Sequence, residues 1–169
     1  MATWNVRGKS LAQIADVLSD QRIHFDAIAL QEVGSLAQGN LTPNGFLQPD
    51  DQIQLHPHLS DYWVLCTDQL HSHLGQALLI DRSYADCVLN TLKGNRFIGA
   101  QILHTSGAKL WLFSGHLPHH HQPALDYEAA IHEMKHFLAK IRDAPCIIAA
   151  DWNASPAGPA MDAQGLAVA

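Results

Sequence analysis

Five polar residues, Asn5, Glu32, His116, Asp151 and Asn153, each stand at or just beyond the C-terminal end of a short apolar run. Asn5 follows Ala2-Thr3-Trp4, and Glu32 follows Ala27-Ile28-Ala29-Leu30 with Gln31 between. His116 follows Leu110-Trp111-Leu112-Phe113 with Ser114-Gly115 between, and Asp151 and Asn153 follow Ile147-Ile148-Ala149-Ala150. Strand ends are common places for chemistry, because strands fix geometry while the loops beyond them adapt. The residue types form a chemical set. Glu32 and Asp151 can supply the one or two carboxylates that Mg²⁺ takes from a protein, leaving water and phosphate for its other positions. Asn5 and Asn153 offer a carbonyl oxygen to a metal or an amide N–H to a phosphate oxygen. A protonated His116 can donate to a phosphate as negative charge develops on it. Metal plus donor is a sound arrangement for attacking a phosphodiester. Asp151 and Asn153, two apart, would point to one side of an extended chain. Taken singly, each residue has a plainer explanation as a turn, a helix cap or a surface side chain. Their joint occurrence at four strand ends is much harder to explain that way.

The elements that must hold these residues alternate between short apolar strands and amphipathic helices. With 169 residues, 47% hydrophobic and 15% charged, the chain suits a single globular domain, residues 1–169, with a real core. A strand over residues 2–6 leads to a helix over residues 10–19, where Leu11, Ile14, Ala15 and Leu18 share a face and Ser10 with Gln13 forms a capping box. A strand at 27–30 follows. Residues 34–60 are dense in Gly, Pro, Asn and Asp and read mostly as loop. Strands are expected at 62–67, 77–81, 87–92, 98–104 and 110–114, with Ser106-Gly107 as a hairpin turn. A helix over 124–142 carries Tyr127, Ile131, Met134, Leu138 and Ile141 as one apolar stripe, and a last strand covers 146–150.

Charge and cysteine content narrow the setting. The net charge of −6 with only 10 Lys and Arg is unusual for a nucleic-acid enzyme, although 12 histidines can shift that balance at low pH. Cys66, Cys87 and Cys146 sit among apolar residues and read as buried free thiols, which suits a reducing compartment. No apolar run is long enough to cross a bilayer, and no basic stretch precedes an apolar one at the N-terminus, so an intracellular protein is expected. The nucleus is one such location, with no sequence feature specifying it, and oligomeric state is not legible. Gly8-Lys9-Ser10 resembles the end of a phosphate-binding P-loop but lacks the required upstream glycine, since that position is Thr3. His119-His120-His121, His71 with His73, and His56 with His58 read as loop residues rather than zinc ligands.

Four stretches together resemble one family. Thr3-Trp4-Asn5-Val6-Arg7-Gly8 is similar to the opening strand of the endonuclease/exonuclease/phosphatase (DNase I-like) family, and Ala27-Ile28-Ala29-Leu30-Gln31-Glu32 to its Gln-Glu motif. Leu112-Phe113-Ser114-Gly115-His116-Leu117-Pro118 resembles the strand bearing its phosphate-contacting His. Ile147-Ile148-Ala149-Ala150-Asp151-Trp152-Asn153-Ala154 resembles its Gly-Asp-Phe-Asn motif, with Ala150 and Trp152 as substitutions. The resemblance implies an α/β sandwich of two mostly antiparallel sheets flanked by helices. It implies Glu32 as metal ligand with Asn5 beside it. His116, Asp151 and Asn153 would be catalytic, and Asn5, Asn153 and His116 would meet the substrate phosphate. The cofactor would be Mg²⁺, with Mn²⁺ as the alternative.

The activity implied is phosphodiester hydrolysis, foremost of DNA. The start of the chain and its Asp-x-Asn-Ala resemble endonuclease domains of non-LTR retroelements. The His where such domains have a Tyr is closer to deadenylase-like and DNase-like branches. An RNA nuclease, a phospholipid or inositol-phosphate phosphodiesterase, and a catalytically inactive retroelement remnant stand as alternatives. The family pattern continues with a further strand-end Asp and a closing Asp-His, whereas here Asn153 is followed by a short tail containing Asp162 and no His. The fold is therefore expected to be incomplete at its C-terminal end. Marginal solubility and much reduced turnover are expected too, because general acid–base groups contribute about 10²–10⁴-fold.

Overall fold

Ser10 opens the first helix through a reciprocal pair of bonds. Its Oγ accepts from the Gln13 backbone N–H at 3.3 Å, and Gln13 Oε1 accepts from the Ser10 N–H at 2.9 Å. In the computed structural model, which describes residues 1–22, 24–34, 41–67, 75–118, 124–142 and 144–153, this helix, α1 (Leu11–Asp20), joins strand β1 (Ala2–Asn5) to β2 (Ala27–Val33). There follow α2 (Pro49–Leu55), a 3₁₀ helix (Pro57–Asp61), β3 (Tyr62–Cys66), β4 (Gly75–Asp81), β5 (Ala85–Lys93), β6 (Phe97–His104), β7 (Lys109–His116), α3 (Ala124–Ile141) and β8 (Cys146–Asp151).

The strands form two four-stranded sheets, ordered β1-β2-β4-β3 and β5-β6-β7-β8. Neighbours are antiparallel except β1 with β2 and β7 with β8, which are parallel. Each parallel pair needs a long crossover, and α1 and α3 supply it. Alternation along the strands sorts the core into three layers. Leu78 and Ile80 of the first sheet meet Ile98, Ala100, Ile102 and Leu112 of the second between the sheets. On the outer face of the first sheet, Ile14 and Leu18 pack on Ile28, Leu30 and Leu79. On the outer face of the second, Ile131, Met134, Phe137 and Ile141 cover Trp111 and Phe113. The architecture is the expected α/β sandwich.

Three expectations are corrected. The stretch read as loop contains α2 and the 3₁₀ helix. Its Pro and Asp residues are helix-start chemistry: Pro49 lies in the first turn, and Asp50 and Asp51 face the positive end of the helix dipole. His56 and His58, read as loop decoration, brace this segment. His56 Nδ1 accepts from the His58 N–H at 3.1 Å while Nε2 reaches Asp16 Oδ1 at 3.2 Å, fastening the segment to α1. His58 Nδ1 lies 3.4 Å from Asp61, and the His58 ring meets Tyr62 edge-on. Of the cysteines, none of them in a disulfide, only Cys66 is buried; Cys87 is half-buried and Cys146 exposed. Cys146 is exposed because β8 is the last strand in its sheet among the described residues, and Ile147 beside it is exposed too. His71, His73, His119, His120 and His121 lie outside the described residues.

Tyr62 is wholly buried, and its hydroxyl meets no hydrogen-bond partner among the described residues. Burial first, then the charges of Asp81 and Asp61, push its pKa above the ordinary 10.0. The native state therefore holds this proton more tightly than the unfolded chain does. That contribution is intact below about pH 10 and is lost as pH rises through the folded-state value. Tyr62→Phe is expected to change stability at neutral pH by less than about 1 kcal/mol, since no bond is lost. The same variant should flatten the decline in stability on the alkaline side. Urea denaturation at neutral and strongly alkaline pH measures both, and an unchanged alkaline slope contradicts the assignment.

Candidate metal and phosphate site

The two parallel pairs bring the strand ends together. Because β1 runs with β2 and β7 with β8, their C-terminal ends lie at one edge of each sheet, and the sheets stack so that these edges meet. Asn5 ends β1 and Asp151 ends β8, and Asn5 Nδ2 donates to Asp151 Oδ2 at 2.7 Å across the sandwich. His116 ends β7 and is in direct register with Asp151. Its Nε2 stands 3.6 Å from Glu32 Oε1, with both side chains only about one-sixth exposed (15% and 16%). Glu32, His116 and Asp151 each present a donor atom, all within 4.8 Å of one another.

Glu32 reaches this point through a break in its strand. The pairing of β2 with β4 shifts between Leu30 and Val33, and Glu32 itself has φ 55. A bulge re-aims side chains that regular alternation would send to opposite faces. Here Gln31 and Glu32, adjacent in sequence, both meet β7: Gln31 at Ser114 and Glu32 at His116. Left-handed backbone at a non-glycine residue costs of order 1–3 kcal/mol and persists where the surroundings hold it. The surroundings are visible. The Gly8 N–H donates to the Glu32 carbonyl at 2.7 Å, and the Gly34 N–H to the Lys9 carbonyl at 2.9 Å. Gly8-Lys9-Ser10, the discounted P-loop fragment, thus serves to clamp the Glu32 bulge.

A Cβ on Gly34 would lie 2.0 Å from the Gly8 carbonyl oxygen, a backbone atom with nowhere to go. Gly34→Ala is therefore expected to destabilise the fold by about 1–3 kcal/mol and to weaken divalent-cation binding through displacement of Glu32. Denaturation together with a metal titration checks this. A variant as stable and as metal-competent as wild type removes the clamp from the account.

Beneath the site lies a polar network that sequence reading did not identify. Thr3 Oγ1 donates to Gln31 Oε1 at 3.1 Å, Gln31 Nε2 to Ser114 Oγ at 3.3 Å, and Ser114 Oγ to the Leu30 carbonyl at 3.2 Å. Gln31 and Ser114 are buried, so the bond between them and the one to the Leu30 carbonyl replace water that is absent there, while Thr3 joins the network from the exposed side. The available signal was two polar residues inside otherwise apolar strands. His116 is fixed at its backbone as well, its N–H donating to the Arg96 carbonyl at 2.9 Å, which also accepts from Gln76 Nε2 at 2.6 Å.

Asn5 and Asn153 are near the centre but partly committed. Asn5 Oδ1 accepts from the Arg7 N–H at 3.1 Å. Asn153 lies beyond the end of β8 at φ 45, so strand alternation does not govern its direction. Its Nδ2 donates to the Leu117 carbonyl at 2.7 Å and its backbone N–H to Asp151 Oδ1 at 3.2 Å. The donor set fits a divalent cation of oxygen preference: two carboxylates converge, Asp151 oriented by hydrogen bonds from Asn5 and Asn153 and Glu32 lying beside His116. Among the described residues no helix is long and apolar enough to cross a membrane.

With this geometry in view, likeness to known proteins has a structural footing. The chain is similar to the human Nocturnin catalytic domain (TM-score 0.64, 15% identity, covering 96% of this chain and 67% of that one). It is also similar to the endonuclease domain of TRAS1, a telomere-specific non-LTR retrotransposon (TM-score 0.57, 14% identity, 91% of this chain and 60% of that one). A third likeness is to the 3′ phosphatase NExo from Neisseria bound to a product DNA hairpin (TM-score 0.56, 17% identity, 92% and 58%). The chain thus spans only 58% to 67% of the length of these structures. No curated protein sequence matches it significantly. At such identities the structures speak for the fold alone. A sequence model described as the endonuclease/exonuclease/phosphatase family matches residues 2–163, nearly the whole chain, and so reaches all four strand ends. By that match the chain belongs to the endonuclease/exonuclease/phosphatase family, whose members are hydrolytic enzymes that include nucleases and phosphatases.

Proposed function

We propose that the chain is built as a divalent-metal-dependent phosphodiesterase acting on nucleic acid, with DNA as the foremost substrate. The observation that carries this reading is the convergence of Glu32, His116 and Asp151 donor atoms within 4.8 Å from strand ends in two different sheets. Glu32 and Asp151 would hold Mg²⁺ or Mn²⁺, with Asn5 beside them. When bound, such an ion supplies positive charge to the phosphate oxygens and eases ionisation of water.

The protein groups do the rest. Asn5, donating to Asp151 Oδ2, fixes the rotamer of that carboxylate. Asp151 can accept a proton from an attacking water. His116 Nε2, when protonated, can donate to a phosphate oxygen and is held close by Glu32. Asn153, fastened to Leu117, keeps the Asp151 loop closed over the end of β7 and can offer its remaining amide hydrogen to phosphate.

Hydrolysis of supercoiled plasmid, poly(A) and a phosphoinositide in Mg²⁺, each by wild type and Glu32→Ala, tests the reading. Plasmid nicking that depends on Glu32 is the expected result. Preference for poly(A) or for the lipid substrate would move the assignment to an RNA nuclease or a lipid phosphodiesterase. Mg²⁺ binding without turnover on any substrate would mark an inactive remnant.

A further inference from the structure

Residues 132–136, on α3, read His-Glu-Met-Lys-His. Residues four apart on a helix lie one above the other on the same face. His132 and His136 are both exposed, while Ile131 and Met134 beside them are buried in the core. The two imidazoles open onto one cavity of about 610 Å³, which is also lined by Asp126, Glu133, Asn95 and Arg96. None of these residues belongs to the Glu32–His116–Asp151 centre.

We propose that His132 and His136 form a second metal site, one for transition-metal dications such as Zn²⁺, Co²⁺, Ni²⁺ and Cu²⁺. Imidazole nitrogen suits these ions, whereas Mg²⁺ prefers oxygen. The pair supplies two ligands from one helical face, the same spacing by which a helical His-Glu-x-x-His grips zinc, and water fills the remaining positions. Among the described residues the group of three donors converging within 4.8 Å is Glu32, His116 and Asp151, so the α3 site is a two-ligand one.

The structure also decides what this site does not do. In a hydrolytic His-Glu-x-x-His the intervening Glu serves as general base. Here both oxygens of Glu133 are occupied by backbone donors of the β5–β6 turn. Oε2 accepts from the Asn95 N–H at 3.0 Å, and Oε1 from the Arg96 and Phe97 N–H groups at 2.9 and 2.8 Å. A Cβ on Gly94 would lie 2.4 Å from Glu133 Oε1, which shows how closely the turn wraps the carboxylate. Glu133 is a structural cap, and the site binds metal without turning over peptide or ester.

Calorimetric titration with Co²⁺ tests the site in a background where His119, His120 and His121 are replaced by Asn and Glu32 by Gln. Those changes remove the three consecutive histidines and one carboxylate of the Glu32 centre as competing ligands. His136→Asn and, separately, His132→Asn are each expected to remove one bound equivalent while the circular dichroism spectrum stays unchanged. Equal stoichiometry and affinity with and without either substitution overturns the proposal. A second measurement needs no α3 variant: substoichiometric Cu²⁺ should broaden the backbone NMR signals of residues 131–137 in that same background, and broadening centred elsewhere overturns it. Incubation of the Zn²⁺-loaded chain with casein should release no peptide, and release that depends on Glu133 overturns the assignment of Glu133 as a cap.

Discussion

Glu32→Gln is expected to abolish Mg²⁺-supported hydrolysis, by at least about 10³-fold, while leaving the metal-free fold as stable as wild type or more so. The two effects have one cause. Glu32 and Asp151 present carboxylate oxygens within 4.8 Å of each other. Without a cation, like charges at that separation repel, by an amount that grows as water is excluded. Gln keeps the shape of Glu, its oxygen can still meet His116 Nε2, which stands 3.6 Å from Glu32 Oε1, and the bulge is held through the Glu32 carbonyl rather than through its side chain. Neutralising Glu32 relieves the repulsion and removes one of the two carboxylates that would hold the ion. Thermal melts with and without Mg²⁺ separate the two consequences. Wild type should gain stability as Mg²⁺ is added, since a ligand that binds only the native state stabilises it by mass action. Glu32→Gln should gain none. A variant that melts lower without metal, or that keeps the Mg²⁺ response, would remove Glu32 from the metal site.

Asp151→Asn is expected to cost about 10²–10⁴-fold in turnover and, unlike Glu32→Gln, to destabilise the metal-free fold by about 1–3 kcal/mol. Asp151 accepts two hydrogen bonds, from Asn5 Nδ2 at 2.7 Å and from the Asn153 N–H at 3.2 Å. An amide has one acceptor oxygen and one donor nitrogen, so in either orientation one of these partners faces an N–H instead of an oxygen. The bond to Asn5 ties β1 to β8 across the sandwich, so its loss loosens the two sheets where the site forms. Asn5→Ala should lose less turnover. A double-mutant cycle of Asn5→Ala with Asp151→Asn should show clear coupling, because the two changes break the same bond. Strict additivity would mean that Asn5 acts on the substrate directly and not through Asp151.

Much of this arrangement is legible in the order of residues. Ser10 with Gln13 announces the start of α1, and Ile131, Met134 and Ile141 mark the buried stripe of α3, joined in the structure by Ala130 and Phe137. The strands are legible because apolar runs between turn residues are short and regularly spaced. The region before β3 was misread because Pro and Asp serve equally as loop residues and as the first turn of a helix. The burial of Gln52 on α2 and the pairing of His56 with Asp16 distinguish the two, and the second depends on a distant part of the chain. The burial of Cys146 was misjudged for a similar reason: a strand's own residues do not say whether it lies at the centre or the edge of its sheet.

Sequence alone determined which side chains are available for chemistry and that each lies at or near the end of a strand. Local pattern sufficed for that, because a strand's end is set by where its apolar residues stop. What only the tertiary structure decided is the direction in which those side chains point. Regular alternation would send Gln31 and Glu32 to opposite faces; the bulge at Glu32, held by Gly8, which itself packs against Gly34, turns both toward β7. Likewise Asn153 leaves the strand and turns to Leu117 rather than following Asp151. Direction at these two points is set by backbone contacts between segments far apart in sequence, which no run of neighbouring residues encodes.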